Sequence, residues 1–204
     1  MFNHSSFFTV INQSDYLRMP WKNGLGETLE IAVRRENDEV LYRVSQAAVV
    51  EDGVFSDFSG LHRTLVLLKG EGMHLSHTNA HNEYQHHLEP LLSVAHFAGG
   101  DRTYAKLSNG AIEDLNIMVR EGKAKSDVKT VFSPASFDIH RDSKTLFTAF
   151  YANSECELLI QSQSKQQSIV IPNQATVLLH QNSQISLQKG CGVFITITDN
   201  EAIS

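Results

Sequence analysis

The sequence predicts an all-β protein with more strands than one small barrel needs. Three observations carry that prediction: short apolar runs alternate with a period of two, the three-to-four spacing of an amphipathic helix is nearly absent, and Gly, Asn and Asp pairs punctuate the runs. In order, the candidate strands are 28–35, 41–50, 64–69, 73–77, 91–97, 103–107, 112–120, 128–132, 146–152, 157–161, 168–171, 175–180, 184–187 and 193–198. In the first, Leu29, Ile31 and Val33 share one face and Thr28 and Glu30 the other; in the second, Arg43 and Ser45 share a face. In 112–120, Asn116 and Met118 lie opposite Leu115, Ile117 and Val119. Turn signals fall at Asn23-Gly24, Asp52-Gly53, Gly99-Gly100-Asp101, Asn109-Gly110 and Pro172-Asn173. Residues 12–17 are the candidate for a short helix, and the polar stretches 79–87 and 161–168 read as loops.

Fourteen strands are nearly twice the eight of a jelly roll, so two stacked barrels fit the chain. A weak internal echo agrees: Leu-Glu-Pro before 91–97 resembles Val-Ile-Pro before 175–179. The seam is expected at 122–126, giving barrels at 1–122 and 123–204 with room for strands to be exchanged between them. A chain of 204 residues buries a full core without a disulfide or structural metal. Cys156 and Cys191 are expected to be free core thiols.

Composition removes several function classes. The net charge is −6 and no Lys/Arg run exceeds a pair, which argues against a nucleic-acid partner. Nowhere do some 18 apolar residues follow one another, and 1–10 lacks a basic start, so the expectation is a cytoplasmic protein without a membrane span. A small-molecule partner stays open, and edge strands on paired barrels allow a homodimer.

The densest constellation runs from Met19 to Ala32 and holds the chain's only tryptophan, Trp21, followed by Lys22, Asn23, Gly24 and, one residue on, Gly26. Two glycines flanking one residue let backbone N–H groups turn toward a common point, which with Lys22 and Asn23 makes a small anion-binding concavity. The blander reading is a tight loop entering a strand beside a half-buried Trp.

Pro20-Trp21-Lys22-Asn23-Gly24-x-Gly26-x-Thr28-x-Glu30-Ile31-Ala32 resembles the N-terminal signature of the HutD/Ves family. Further similarities follow in order: Arg43-Val44-Ser45, the run from Asp52 to Gly70 with Phe55, Phe58 and Arg63, then Ala95-His96-Phe97, and Asp114 to Arg120. The resemblance implies a double cupin, an RmlC-like jelly roll repeated, with a ligand pocket inside one barrel. It also implies that Trp21, Lys22, Asn23, Gly24, Glu30, Arg43, Ser45, Arg63 and Asn116 bind the ligand. Two arginines can grip carboxylates, Lys22 adds a charge, Glu30 balances one arginine, and Asn23, Ser45 and Asn116 orient a second polar group. The family's link to histidine utilisation suggests N-formylglutamate, urocanate or formate, bound in a regulatory or stress-linked role without metal or other cofactor.

Ten histidines, five of them between His74 and His87, raise a competing idea: a metal-dependent cupin oxygenase or isomerase using His74, His77, His81 and Glu83. The spacing argues against it, because residues three apart on a strand face opposite ways. A third reading is an interaction module with a filled barrel. No Ser/His/Asp or Cys/His arrangement is apparent, so binding is favoured over catalysis.

Overall fold

The computed structural model describes residues 6–21, 26–163 and 165–200. Its strands, in chain order, are β1 (Phe8–Ile11), β2 (Leu17–Pro20), β3 (Glu27–Glu36), β4 (Glu39–Val49), β5 (Gly53–Val54), β6 (Leu61–Lys69), β7 (Met73–Thr78), β8 (Glu83–Leu88), β9 (Val94–Ala98), β10 (Arg102–Leu107), β11 (Ile112–Arg120), β12 (Ala124–Phe132), β13 (Ala135–Ile139), β14 (Thr145–Ala152), β15 (Cys156–Ser162), β16 (Lys165–Ile171), β17 (Thr176–Leu179), β18 (Ser183–Lys189) and β19 (Cys191–Asp199). No helix among the described residues is long and apolar enough to cross a membrane.

Two compact units divide the chain. Leu17–Ser126 forms one, with sheets ordered β2-β3-β4-β11-β6-β9 and β5-β10-β7-β8. Its core gathers Leu65 and Leu67 from β6, Met73 and Leu75 from β7, Leu88 from β8 and Ala105 from β10, all 1% exposed or less. Burying each of the large aliphatic side chains is worth about 1.5–3 kcal/mol, which makes this cluster the unit's main source of stability.

Residues 6–16 form the other unit together with Asp127–Asp199. Its sheets are β1-β17-β14-β19-β12 and β13-β18-β15-β16. β1 lies antiparallel on β17 with Phe8 opposite Leu179. The Tyr16 hydroxyl donates to the Gln174 carbonyl at 2.7 Å and meets Thr176 Oγ1 at 2.7 Å, and burial raises its pKa to about 12. A separate core holds Phe7, Phe8, Phe150, Leu158, Ile160 and Ile185. The two units part between Ser126 and Asp127, after the turn at Gly122 (φ 77°) that joins β11 to β12, and residues 6–16 belong with the later part of the chain.

Each of the fourteen expected strands has a counterpart, and five more are present: β1, β2, β5, β8 and β13. The helix expected at 12–17 is only a 3-10 turn at Gln13–Asp15, because Leu17 already starts β2. The loop expected at 79–87 contains β8, and the one at 161–168 shrinks because β16 begins at Lys165. The strand expected at 91–97 starts at Val94, since Leu92 has φ 64° in a turn. Asn37 and Asp38, at φ 49° and 65°, are both left-handed and close β3 onto β4 as a two-residue hairpin turn of the kind that matches strand twist.

Gly72 joins β6 to β7 at φ 112°, and a Cβ there would fall on the Leu88 carbonyl oxygen. Gly72→Ala is therefore expected to cost about 2 kcal/mol, from backbone strain and displacement of β8. A urea midpoint unchanged from wild type would contradict it.

Candidate functional site

The six-stranded sheet brings the polar positions together by register. Asn116 on β11 lies opposite Ser45 on β4 and Leu65 on β6, and Ser45 in turn lies opposite Glu30 on β3. One pleat along, Met118 stands between Arg43 and Arg63, its partners on β4 and β6. Strands are spaced about 4.8 Å, so the two arginines start about 10 Å apart on one face. That face is a wall of a cavity of about 590 Å³, lined also by Met19, Trp21, Thr28, Phe55, Phe58 and Asp114.

The arginines are held differently. Arg43 Nε donates to Glu30 Oε2 at 2.8 Å, a partly buried pair, and its guanidinium also approaches Met19 Sδ at 3.8 Å. Arg63 is 4% exposed and has aromatic rings around it: its guanidinium carbon lies 5.1 Å from the centroid of Phe55, 5.2 Å from Phe58 and 4.9 Å from Phe97. Its Nε donates to Asn116 Oδ1 at a long 3.5 Å. Ring faces attract a desolvated cation by about 2 kcal/mol in favourable cases, so this cage stabilises charge while leaving guanidinium donors for an anion.

Asp114 is the counterweight. It is 2% exposed, and its Oδ1 has no hydrogen-bond partner among the described residues. Burial raises its pKa to about 7, against the lowering pull of Arg63. Burial also lowers Arg63 to about 10, which still leaves it charged at neutral pH. With Glu30 neutralising Arg43, Arg63 supplies the cavity's buried positive charge. Trp21 is fixed by Nε1 donating to Thr28 Oγ1 at 2.9 Å and by its backbone N–H donating to the Gly26 carbonyl at 2.9 Å.

Five expected site residues therefore share one cavity: Trp21, Arg43, Ser45, Arg63 and Asn116. Glu30 stands behind them as the partner of Arg43. Lys22, Asn23 and Gly24 lie outside the described residues. Asp114 was not among the expected residues, although it precedes Asn116 by two on the same strand and so shares its face. Phe55 and Phe58 occupy the Asp52 to Gly70 run, where the aromatic cage was not foreseen.

The histidine cluster divides as the spacing requires. His77 is 1% exposed inside the barrel, its Nδ1 2.9 Å from Thr103 Oγ1 and its Nε2 3.0 Å from His86 Nδ1. It packs against Tyr84 and Phe97 at 4.5 and 4.6 Å between centroids. Burial, then the neighbouring His86, lowers its pKa to about 4. His74 faces the other way, and His81 is exposed between β7 and β8, so His74, His77, His81 and Glu83 do not gather around one point. No histidine or cysteine is among the described residues lining the cavity.

A sequence model of the HutD family matches residues 13–195. The chain belongs to the HutD family. A curated relative, an uncharacterised 21.2 kDa protein in the hutC 3′ region of Pseudomonas putida, is 38% identical over 113 residues, covering 53% of this chain and 56% of the relative. Protein Ves of Escherichia fergusonii is 34% identical over 120 residues, covering 56% of this chain and 61% of that one. The chain thus spans little more than half the length of these curated relatives. Among solved structures, HutD from Pseudomonas fluorescens superposes with a TM-score of 0.76 at 24% identity, over 95% of this chain and 100% of its own. Oxalate decarboxylase from Lactobacillus farciminis superposes with a TM-score of 0.63 at 7% identity, over 96% and 87%. These likenesses make the fold a double cupin of the HutD type.

Proposed function

We propose that this HutD-family chain is a cytoplasmic, metal-independent receptor for a small carboxylate metabolite of histidine utilisation, acting in regulation rather than catalysis. The observation that carries the reading is Arg63: a buried cation caged by three phenyl rings at the wall of a cavity, with a neighbouring carboxylate whose pKa burial raises to about 7, so that it offsets the cation only in part. Such a charge is matched by an anion that enters with donors and acceptors of its own. Ser45 and Asn116, facing each other across the ladder, suit an amide or second polar group, and the apolar wall of Met19, Trp21 and Met118 suits a short hydrocarbon chain. N-formylglutamate carries all three features. Urocanate carries a carboxylate and a flat ring, and formate the carboxylate alone. A filled barrel serving only as an interaction module fits poorly with 590 Å³ of open space.

Trp21 is the only tryptophan in the sequence and lies on the wall, so binding has a built-in reporter. Titration with N-formylglutamate, urocanate, formate and glutamate, read by Trp emission and thermal shift, is expected to single out at least one acid. Ligand at 100 times its dissociation constant stabilises the fold by about 2.7 kcal/mol. If none of the four moves either readout, the carboxylate reading fails.

A further inference from the structure

The outward half of the histidine cluster lies apart from the cavity wall. On β7, His74 points away from the core between Met73 and Leu75, both 0% exposed. On β8, His87 points the same way beside the buried Leu88, and Glu89 follows it by two. The ladder makes His74 and His87 direct cross-strand partners. Their rings stand edge to face at 4.3 Å, and His74 Nε2 is 3.6 Å from Glu89 Oε1. One ligand atom from each of the three lies within 4.8 Å of the other two.

We infer that His74, His87 and Glu89 bind one divalent transition-metal ion of the zinc class, leaving a fourth position open to water. Imidazole and carboxylate ligands sit about 2.0–2.2 Å from a tetrahedral zinc, so atoms on one ion lie about 3.4 Å from each other. The His74–Glu89 pair at 3.6 Å is already close to that distance, and the remaining spread of up to 4.8 Å closes by side-chain torsions at the two exposed positions, His87 and Glu89. Two imidazoles select zinc, copper or nickel over magnesium or calcium, which prefer oxygen alone. The site is preset by the register, which the buried Met73, Leu75 and Leu88 fix on the inner face. β8 is the edge strand of its sheet, so the ion would clamp that edge to β7. Lys106, the partner of His74 on β10, is exposed and is the like charge that opposes the ion; its long stem can turn to solvent.

The test is a zinc titration of tag-free protein against a chromophoric chelator, repeated with cobalt to read tetrahedral ligation by visible absorption. One ion per chain is expected. His74→Ala and His87→Ala should each weaken binding by more than roughly the 10–100-fold that loss of an outer-shell partner costs, while His81→Ala binds as wild type. All three positions are on the surface, and circular dichroism confirms that the variants fold. Wild-type affinity in His74→Ala and His87→Ala, or equal loss in His81→Ala, overturns the assignment, as does a wild type that takes up no zinc. Carboxylate binding in the cavity is read separately by Trp21, so either result stands without the other.

Discussion

Arg63→Ala is expected to lower stability by about 3 kcal/mol at pH 7 and to abolish the response to carboxylates. Truncation empties the space between Phe55, Phe58 and Phe97 and strips Asp114 of its buried counter-charge. Breaking a buried ion pair usually costs about 3–5 kcal/mol. Here the cost falls at the low end, because Asp114, already near 7, takes up a proton once the cation is gone. Binding loses at least as much as folding does: hydrogen bonds to charged groups are worth about 1.5–3 kcal/mol each, so losing a paired grip of two weakens a carboxylate by about 10²–10⁴-fold. Arg63→Lys keeps the charge but lacks the planar fork and stacks poorly in the cage, and falls between. The double variant Arg63→Met with Asp114→Asn separates the two roles. It fills the cage and removes the stranded carboxylate, so urea denaturation should show near-wild-type stability. Ligand titration should still show no binding, and retained carboxylate affinity in that variant would remove Arg63 from the site.

The fold and part of the site were legible because a strand repeats every two residues and the pocket residues obey that repeat. Arg43 with Ser45, and Asn116 with Met118, were placed on common faces by counting alone, and the ladder then set them side by side. What counting does not give is which strands are neighbours. β1 pairs with β17 some 170 positions later, and no local pattern signals that choice. β8 escaped for another reason. Its inward positions are Tyr84, His86 and Leu88 and its outward ones Glu83, Gln85 and His87, an alternation hidden because two of the three inward residues are polar. The same strand decides the histidine question: once β8 exists, His87 rather than His77 becomes the partner of His74. Asp114 was within reach of the parity argument, but its significance comes from burial, which sequence does not state.

Asp114 and His77 should oppose each other as pH changes, and single substitutions should expose each. Asp114 moves from 3.8 in the unfolded chain to about 7 in the folded one, so the folded state holds its proton more tightly. The stability it contributes is whole below pH 3.8 and is lost as pH rises through 7, a change on the order of a few kcal/mol. His77 moves the other way, from 6.5 to about 4, so the folded state excludes its proton. Its contribution is whole above pH 6.5 and is lost as pH falls through 4. Between pH 4 and 6.5 the two slopes have opposite signs and partly cancel in the wild type. Asp114→Asn leaves His77 unopposed, so its stability should fall faster than wild type on acidification. His77→Gln removes one of the groups opposing Asp114, while His86, His96 and His180, also lowered by burial, remain; relative to wild type it should therefore gain stability over the same range. Asp57 and Asp142, whose pKa values their hydrogen bonds hold low, are common to all three proteins and cancel in the differences. Urea midpoints at pH 4, 5, 6 and 7 measure the three curves. If all three run parallel, neither buried group carries the charge state assigned to it, and the partly protonated Asp114 beside Arg63 loses its physical basis.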